Sequence, residues 1–442
     1  MVEKAAKKIP AGKFSRGSLA GVTLAKAGAK SLFHYTSQKF RSEDKKKEQE
    51  LQFQEEIGKM LFAMLSQLRG TALKVSQLLS METGMLPEGI RKQLAQACHQ
   101  GKPLNRALIY KAFVQEFELG PTKVFQKFDA HAFAAASLGQ VHNAISLDGQ
   151  ALAVKIQYPG IAQTIESDLS MIRNFMLALV KTTRFLPDKR AIEIALQEIE
   201  ERLKEETNYE KELENTQWFR ENLNHPDIVI PEVKEELSSK RILTSAKLEG
   251  LHLKDWLETK PSQELRNHFG QLVWDCFLTS AFELYCVHAD PHPGNYLFMK
   301  EGKLGMLDFG CVKHLSPDFI EKIQRLFAII LQEELDAKAL FQINIDMGIL
   351  KEDLPFETFC EQILPTLKNF AAWIAIPFQN DVYDFSTMQG ISKEMLDPKG
   401  SNLVSGMHRD QLYFDRTFMG TLSLLTEIGG QVKMKNPYLC KG

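Results

Sequence analysis

Between His288 and Gly310 the sequence reads HADPHPGNYLFMKEGKLGMLDFG. Asp290 and Asn295 stand five residues apart, and Asp308-Phe309-Gly310 follows two short apolar runs separated by Glu301-Gly302. A carboxylate, an amide oxygen and a second carboxylate in that order suit phosphoryl transfer. Asp290 would position the incoming group, while Asn295 and Asp308 would hold magnesium against phosphate oxygens. Tyr296, Leu297 and Phe298, then Leu304, Met306 and Leu307, alternate with polar or small residues, which predicts strand, turn and strand. Each fragment alone is common, since a His-x-Asp can simply fix a loop. The order and spacing carry the reading.

Such a site needs a phosphate cradle and a cation. Upstream, residues 124–128, 141–145 and 151–156 read as strands, with a small-residue loop, Ala134-Ala135-Ala136-Ser137-Leu138-Gly139-Gln140, between the first two. That loop would let backbone amides approach phosphates, and Lys155 on the third strand would reach the same oxygens. Taken singly, the alanines read as a tight turn and Lys155 as an exposed strand residue. Helices are expected from Ile161 to about Asn224 with a break near Pro187, and their second half is heavily acidic. One of those acids should partner the lysine, and periodicity leaves the choice open. Two further strand-like runs, 228–230 and 241–246, end at Leu248-Glu249-Gly250, where a hinge facing the adenine would fall.

A mostly apolar helix over 262–285 leads into the catalytic stretch. Beyond Gly310 the chain departs from protein kinases, because Leu315-Ser316-Pro317 caps straight into a helix over 318–332. The activation loop and Ala-Pro-Glu anchor that hold a peptide substrate are missing. At the other end, residues 45–99 show helical periodicity. Lys74 and Gln77, three apart, share a face there and could point at one ligand, although a solvated face is the plainer reading.

Composition bounds the rest. The chain has 442 residues, 44% hydrophobic and 25% charged, enough for two lobes with separate cores. Six scattered cysteines without a C-x-x-C pair predict a reducing compartment and no structural zinc. The longest apolar runs, such as 370–378, fall short of the roughly 18 residues of a spanning helix. Net charge is −2, but residues 1–47 carry +9, leaving −11 elsewhere. This basic arm is either a solvated tail or a segment lying on an anionic bilayer. It lacks the apolar stretch of a secretory signal and is too poor in Arg for a mitochondrial transit peptide.

With these residues in hand, the chain resembles the ABC1/UbiB family of atypical kinases, also called AarF or Coq8. The run Ala134 to His142 looks like that family's alanine-rich loop, and Lys74-Val75-Ser76-Gln77 resembles its KxGQ motif. The resemblance implies an α+β, bilobal atypical protein-kinase-like fold with an N-terminal helical extension of the KxGQ type and a mostly helical large lobe. The expected division is a basic arm at 1–47, the helical extension at 48–120, a small lobe at 121–250 and a large lobe at 251–442. It further implies Lys155 as the strand lysine, Glu212 as its helix partner and Glu206 as the first acid of the family's ExD motif. Ala134, Ala135, Ala136, Ser137, Lys155, Glu212 and Glu249 would then serve the nucleotide. Lys74, Gln77, Glu206 and Asn208 would form a lid that excludes peptides.

Two positions depart from the motifs. Ser76 replaces the KxGQ glycine, adding a β-carbon and a hydroxyl where that helix would approach the alanine-rich loop. Asn208 replaces the second acid of ExD, which removes a charge that could pair with Lys74 or a metal.

The implied cofactors are ATP or ADP and Mg2+. The implied partners are an anionic membrane surface or isoprenoid lipid and biosynthetic enzymes of ubiquinone or related lipids. A homodimer stays open, and no nucleic-acid binding is expected. The expected location is cytoplasmic, peripheral at the inner face of a membrane. Two other readings stand beside this one. The first is a nucleotide-responsive scaffold with little phosphoryl transfer; the second is a small-molecule kinase of the aminoglycoside or choline kind, whose catalytic loop HADPHPGN resembles.

Overall fold

In a computed structural model of the chain the described residues are 43–65, 75, 76, 79, 86–97, 106–136, 138–181, 183, 186, 189–390 and 409–439. They fall into two compact units, Met1–Lys211 with Lys234–Ala246, and Glu212–Val233 with Lys247–Gly442. The basic arm up to residue 42, and Lys74, Gln77 and Ser137, lie outside the described residues.

The first unit opens with α1 (Glu43–Leu65) and α2 (Glu88–Ala97). Phe53, Ile57, Leu61, Met64, Ile90 and Leu94 recur at three- and four-residue steps and are buried. After α3 (Arg106–Phe117) come β1 (Lys127–Ala136), β2 (Gly139–Ile145) and β3 (Ala151–Gln157). The helices α4 (Ile161–Val180) and α5 (Lys189–Glu206) turn Ile165, Ile172, Phe175, Leu196 and Leu203 into one core with α1 and α2. The chain then forms α6 (Tyr209–Asn222), within which the first unit gives way to the second, and β4 (Ile228–Val229), before β5 (Ile242–Ala246).

The sheet of this unit is antiparallel in the order β1-β2-β3-β5. Leu152, Val154 and Ile156 bury against Phe113 and Phe125, so the two-residue period puts Lys155 on the other face.

Two sequence expectations are corrected here. Residues 121–124 form a helical turn with Pro121 in its first turn, where the missing N–H is tolerated, and the first strand starts only at Lys127. The alanine-rich run is strand rather than loop: Ala134, Ala135 and Ala136 pair with Val141, Gln140 and Gly139. An antiparallel hairpin needs only about two linking residues, and methyl side chains do not obstruct the ladder.

The second unit carries α7 (Leu253–Glu258), α8 (Gln263–Leu278), β6 (Cys286–His288), β7 (Tyr296–Phe298), β8 (Leu304–Met306) and β9 (Val312–His314). Then follow α9 (Pro317–Ile330), α10 (Ala337–Asp346), α11 (Phe356–Gln362), α12 (Leu364–Ala375), β10 (Val382–Asp384), α13 (Arg409–Ile428) and β11 (Gln431–Lys433). The helix expected over 262–285 stops at Leu278. A wider turn at Thr279–Glu283, closed by Leu284 N–H on the Thr279 carbonyl at 3.0 Å, redirects the chain into β6. Trp274 and Phe277 of α8 meet Phe414 and Phe418 of α13 in an aromatic core. Among the described residues no helix is long and apolar enough to cross a membrane.

Candidate functional site

The 288–310 stretch folds as the spacing predicts. β7 and β8 pair antiparallel, Tyr296 opposite Met306, and the turn between them puts Glu301 and Gly302 at positive φ of 65° and 74°. β4 adds to β8 in parallel, so residues 228–229 belong to this hairpin and not to the sheet of Lys155. The pairing continues as Leu307 N–H donates to the Asn295 carbonyl at 2.8 Å, which sets Asn295 beside the segment carrying Asp308. Asp290 and Asn295 close one compact loop: the Asn295 side-chain amide donates to the Asp290 carbonyl at 2.9 Å and to its Oδ2 at 3.3 Å. Directly below, burial raises the Tyr296 hydroxyl, with smaller contributions from Cys276 and Asp290.

Asp308 sits at φ 57°, a left-handed conformation uncommon for non-glycine residues though better tolerated by Asp than by most. Phe309 is buried against Phe219 of α6 and under the edge of His288, at centroid distances of 5.1 and 5.2 Å. His288 Nε2 donates to the Asp308 carbonyl at 2.8 Å. Asn215 of α6 donates from its side chain to the Phe309 carbonyl at 2.9 Å, and Gly310 N–H donates to Asp308 Oδ1 at 3.3 Å. Glu212, buried one turn before Asn215, lies beside Gly310: a β-carbon there would come within 3.5 Å of Glu212 Oε2 and 3.1 Å of Asp308 Oδ1. After Gly310 the chain pairs straight back as β9 on β6, and α9 begins at Pro317 with Ser316 as its cap. No room is left for an activation segment. Glu249 is exposed in this unit and pairs with Lys247 at 3.1 Å.

In the first unit the alanine-rich hairpin is braced from below. The buried His142 hydrogen-bonds the Asp129 carbonyl through Nδ1 at 2.8 Å and Gln140 Nε2 through Nε2 at 2.7 Å. Burial lowers its pKa, which keeps the ring neutral with Nδ1 as donor. Gly139 is required where it stands, because a β-carbon would lie 2.2 Å from the Ile156 carbonyl oxygen. Lys155, flanked by Val141 on β2 and Leu243 on β5, holds its ammonium 5.0 Å above the Tyr209 ring. Glu206 is the last residue of α5. Asn208 lies in the break before α6, its Oδ1 buried with no hydrogen-bond partner among the described residues.

Residues 96–342 match the profile of the ABC1 atypical kinase-like domain. The chain belongs to the ABC1 family. It is 30% identical over 288 residues to the atypical kinase COQ8, mitochondrial, of Saccharomyces cerevisiae, covering 64% of this chain and 56% of that one. The COQ8 protein of Schizosaccharomyces pombe is 28% identical over 385 residues, covering 85% and 61%. The chain thus spans between half and two thirds of these curated relatives. A solved structure of Rv3197 with erythromycin, from Mycobacterium tuberculosis, shares the fold with a TM-score of 0.59 at 23% identity, covering 88% of this chain and 96% of that one.

The ABC1 assignment implies a nucleotide and magnesium, and the residues fit the metal. Asn295 Nδ2 is committed to Asp290, and its Oδ1 carries no hydrogen bond among the described residues. The reverse amide orientation would set two oxygens against each other. An amide oxygen on Asn295 and a carboxylate on Asp308, on two segments joined by the Leu307–Asn295 backbone bond, are the hard oxygen donors that magnesium takes from a protein, the phosphates and water supplying the rest.

Sequence reasoning missed two features of this ABC1 site. Asn215 was hidden among the acids of α6. Arg416 of α13 lies beyond the matched domain, and its Nη2 stands 3.4 Å from Asp290 Oδ1. No local signal marks an arginine in a terminal helix as a partner of a loop 126 residues earlier.

Proposed function

We propose that this chain is a magnesium-dependent nucleotide-binding phosphotransferase of the ABC1 type, acting at a membrane surface in the biosynthesis of ubiquinone or another isoprenoid lipid. The observation that carries the reading is that the Asn295 side-chain amide ties its nitrogen to Asp290 while its backbone carbonyl accepts from Leu307, the residue before Asp308. Magnesium, when bound, neutralises charge on the phosphates. Asn295 Oδ1 and Asp308 are its proposed ligands. Asp290 orients an acceptor hydroxyl or a water and receives its proton. Lys155 is assigned the α and β phosphates, Glu212 the helix carboxylate of the motif, and Ala134, Ala135, Ala136 and Ser137 the phosphate-facing backbone. Glu249 is assigned to the adenine side. Lys74, Gln77, Glu206 and Asn208 are assigned to the peptide-excluding lid, and the basic arm to anionic lipid.

The absence of an activation segment after Gly310, with β9 paired directly to β6, supports a small or lipid acceptor over a peptide. The test is thermal stabilisation by ATP and ADP with and without Mg2+, on the wild type and on Asp308→Asn. A nucleotide at 100 times its dissociation constant adds about 2.7 kcal/mol. A magnesium-dependent rise in Tm that disappears in Asp308→Asn is expected; no rise with either nucleotide would sink the proposal. ATP turnover with and without anionic vesicles then separates a transferase from a nucleotide-responsive scaffold.

A further inference from the structure

The matched ABC1 domain ends at residue 342, yet α13 meets the catalytic loop at two points one helical turn apart. At the first, Arg416 Nη2 lies 3.4 Å from Asp290 Oδ1. At the second, Gly420 receives Pro291 so closely that a β-carbon would sit 2.1 Å from the proline Cγ. Residues four apart share one face of a helix, so this face presents a cation and then a notch to consecutive residues of the loop.

Arg416 is not explained as packing or as a surface ion pair. Its side chain is only 15% exposed, and its Nε and Nη1 are buried with no hydrogen-bond partner among the described residues. A buried, unpartnered guanidinium nitrogen opposes folding, so a residue retained in that state is held there by what its remaining nitrogen does. That nitrogen addresses Asp290. The helix itself is secured elsewhere, since Asp410 Oδ2 accepts from Ser316 N–H at 3.0 Å and Ser316 Oγ at 2.9 Å. Arg416 is therefore not needed to dock α13.

Resting on the reading of Asp290 as the group that orients the acceptor, we infer that Arg416 is a positioning residue for phosphoryl transfer and Gly420 the seat that fixes the loop's height on α13. The carboxylate is held from two sides, Oδ1 by Arg416 and Oδ2 by Asn295 at 3.3 Å. Both contacts are longer than the 2.7–2.9 Å typical of a charge-assisted bond.

The experiment compares full-length wild type, Arg416→Gln, Arg416→Lys and Gly420→Ala, measuring kcat and KM for Mg-ATP turnover and the Tm shift given by Mg-ADP. Arg416→Gln should lower kcat about ten- to a hundredfold, as misplaced reacting groups do, with KM and the Mg-ADP shift unchanged. Arg416→Lys, which keeps the charge, should recover part of that loss. Gly420→Ala should lower kcat by lifting Pro291. Full kcat in Arg416→Gln, a loss confined to KM, or a lysine no better than glutamine overturns the inference while the functional reading stands. A wild type that shows no Mg-ADP shift and no turnover overturns the functional reading and the inference with it.

Discussion

Asn215 and Phe309 are joined by one hydrogen bond, from the asparagine side chain to the phenylalanine carbonyl at 2.9 Å. Because Phe309 follows the metal-ligand candidate Asp308, the bond holds the Phe309–Gly310 peptide group, one residue beyond that carboxylate. Asn215→Ala leaves a part-buried carbonyl unpaired and should lower stability by about 1–3 kcal/mol. It should also weaken nucleotide binding more in the presence of Mg2+ than in its absence. Calorimetric titration under the two conditions measures this, and equal weakening would contradict the role.

Ser76 is fully buried and its hydroxyl has no hydrogen-bond partner among the described residues. Alanine removes that unsatisfied group and is the better helix former, so Ser76→Ala should raise Tm, by about 1 kcal/mol in stability. Ser76→Gly should lower it, because glycine is about 1 kcal/mol poorer than alanine in a helix. A denaturation series on both variants tests the ordering.

Asp415, beside Arg416 on α13, has its carboxyl pushed by burial from 3.8 up to about 7, against a hydrogen bond from Gln411. The folded protein thus keeps a proton that the unfolded chain releases, and stability falls as pH rises from about 4 to about 7, then stays lower. Asp415→Asn should remove this slope. At pH 8 it should exceed wild type by about 1–2 kcal/mol, partial solvent contact of the side chain holding the gain down, and the gap should narrow at pH 5. Unfolding curves at the two pH values decide it.

Gly139→Ala brings a β-carbon to 2.2 Å from the backbone oxygen of Ile156, a group facing β2 in the β2–β3 ladder. Neither side can yield cheaply. The variant should lose about 1–3 kcal/mol and with it the register of the alanine-rich strand. A lower Tm together with increased amide exchange at 134–136 is the expected signature.

The β7–β8 hairpin was legible in the sequence because it is local: alternating Tyr296–Phe298 and Leu304–Met306 and a two-residue turn specify it without help from the rest of the chain. Lys155 was legible for the same reason, by period two on β3. The alanine-rich run misled because methyl side chains carry no period, and its ladder is decided by the partner strand. Residues 228–230 read correctly as extended, yet their partner is β8, a choice made by tertiary packing. Asn215, Arg416 and Gly420 act through contacts 94 or more residues away in sequence, beyond the reach of any window.

The separation between Arg416 and Asp290 also orders events during synthesis. At about 5–20 residues per second, the 126 residues between them take about 6–25 s to translate. Throughout that interval the nascent chain displays a catalytic loop without its brace or its seat. A polypeptide terminated between residue 342 and α13 would carry the whole ABC1 match and still lack the two α13 contacts to the loop.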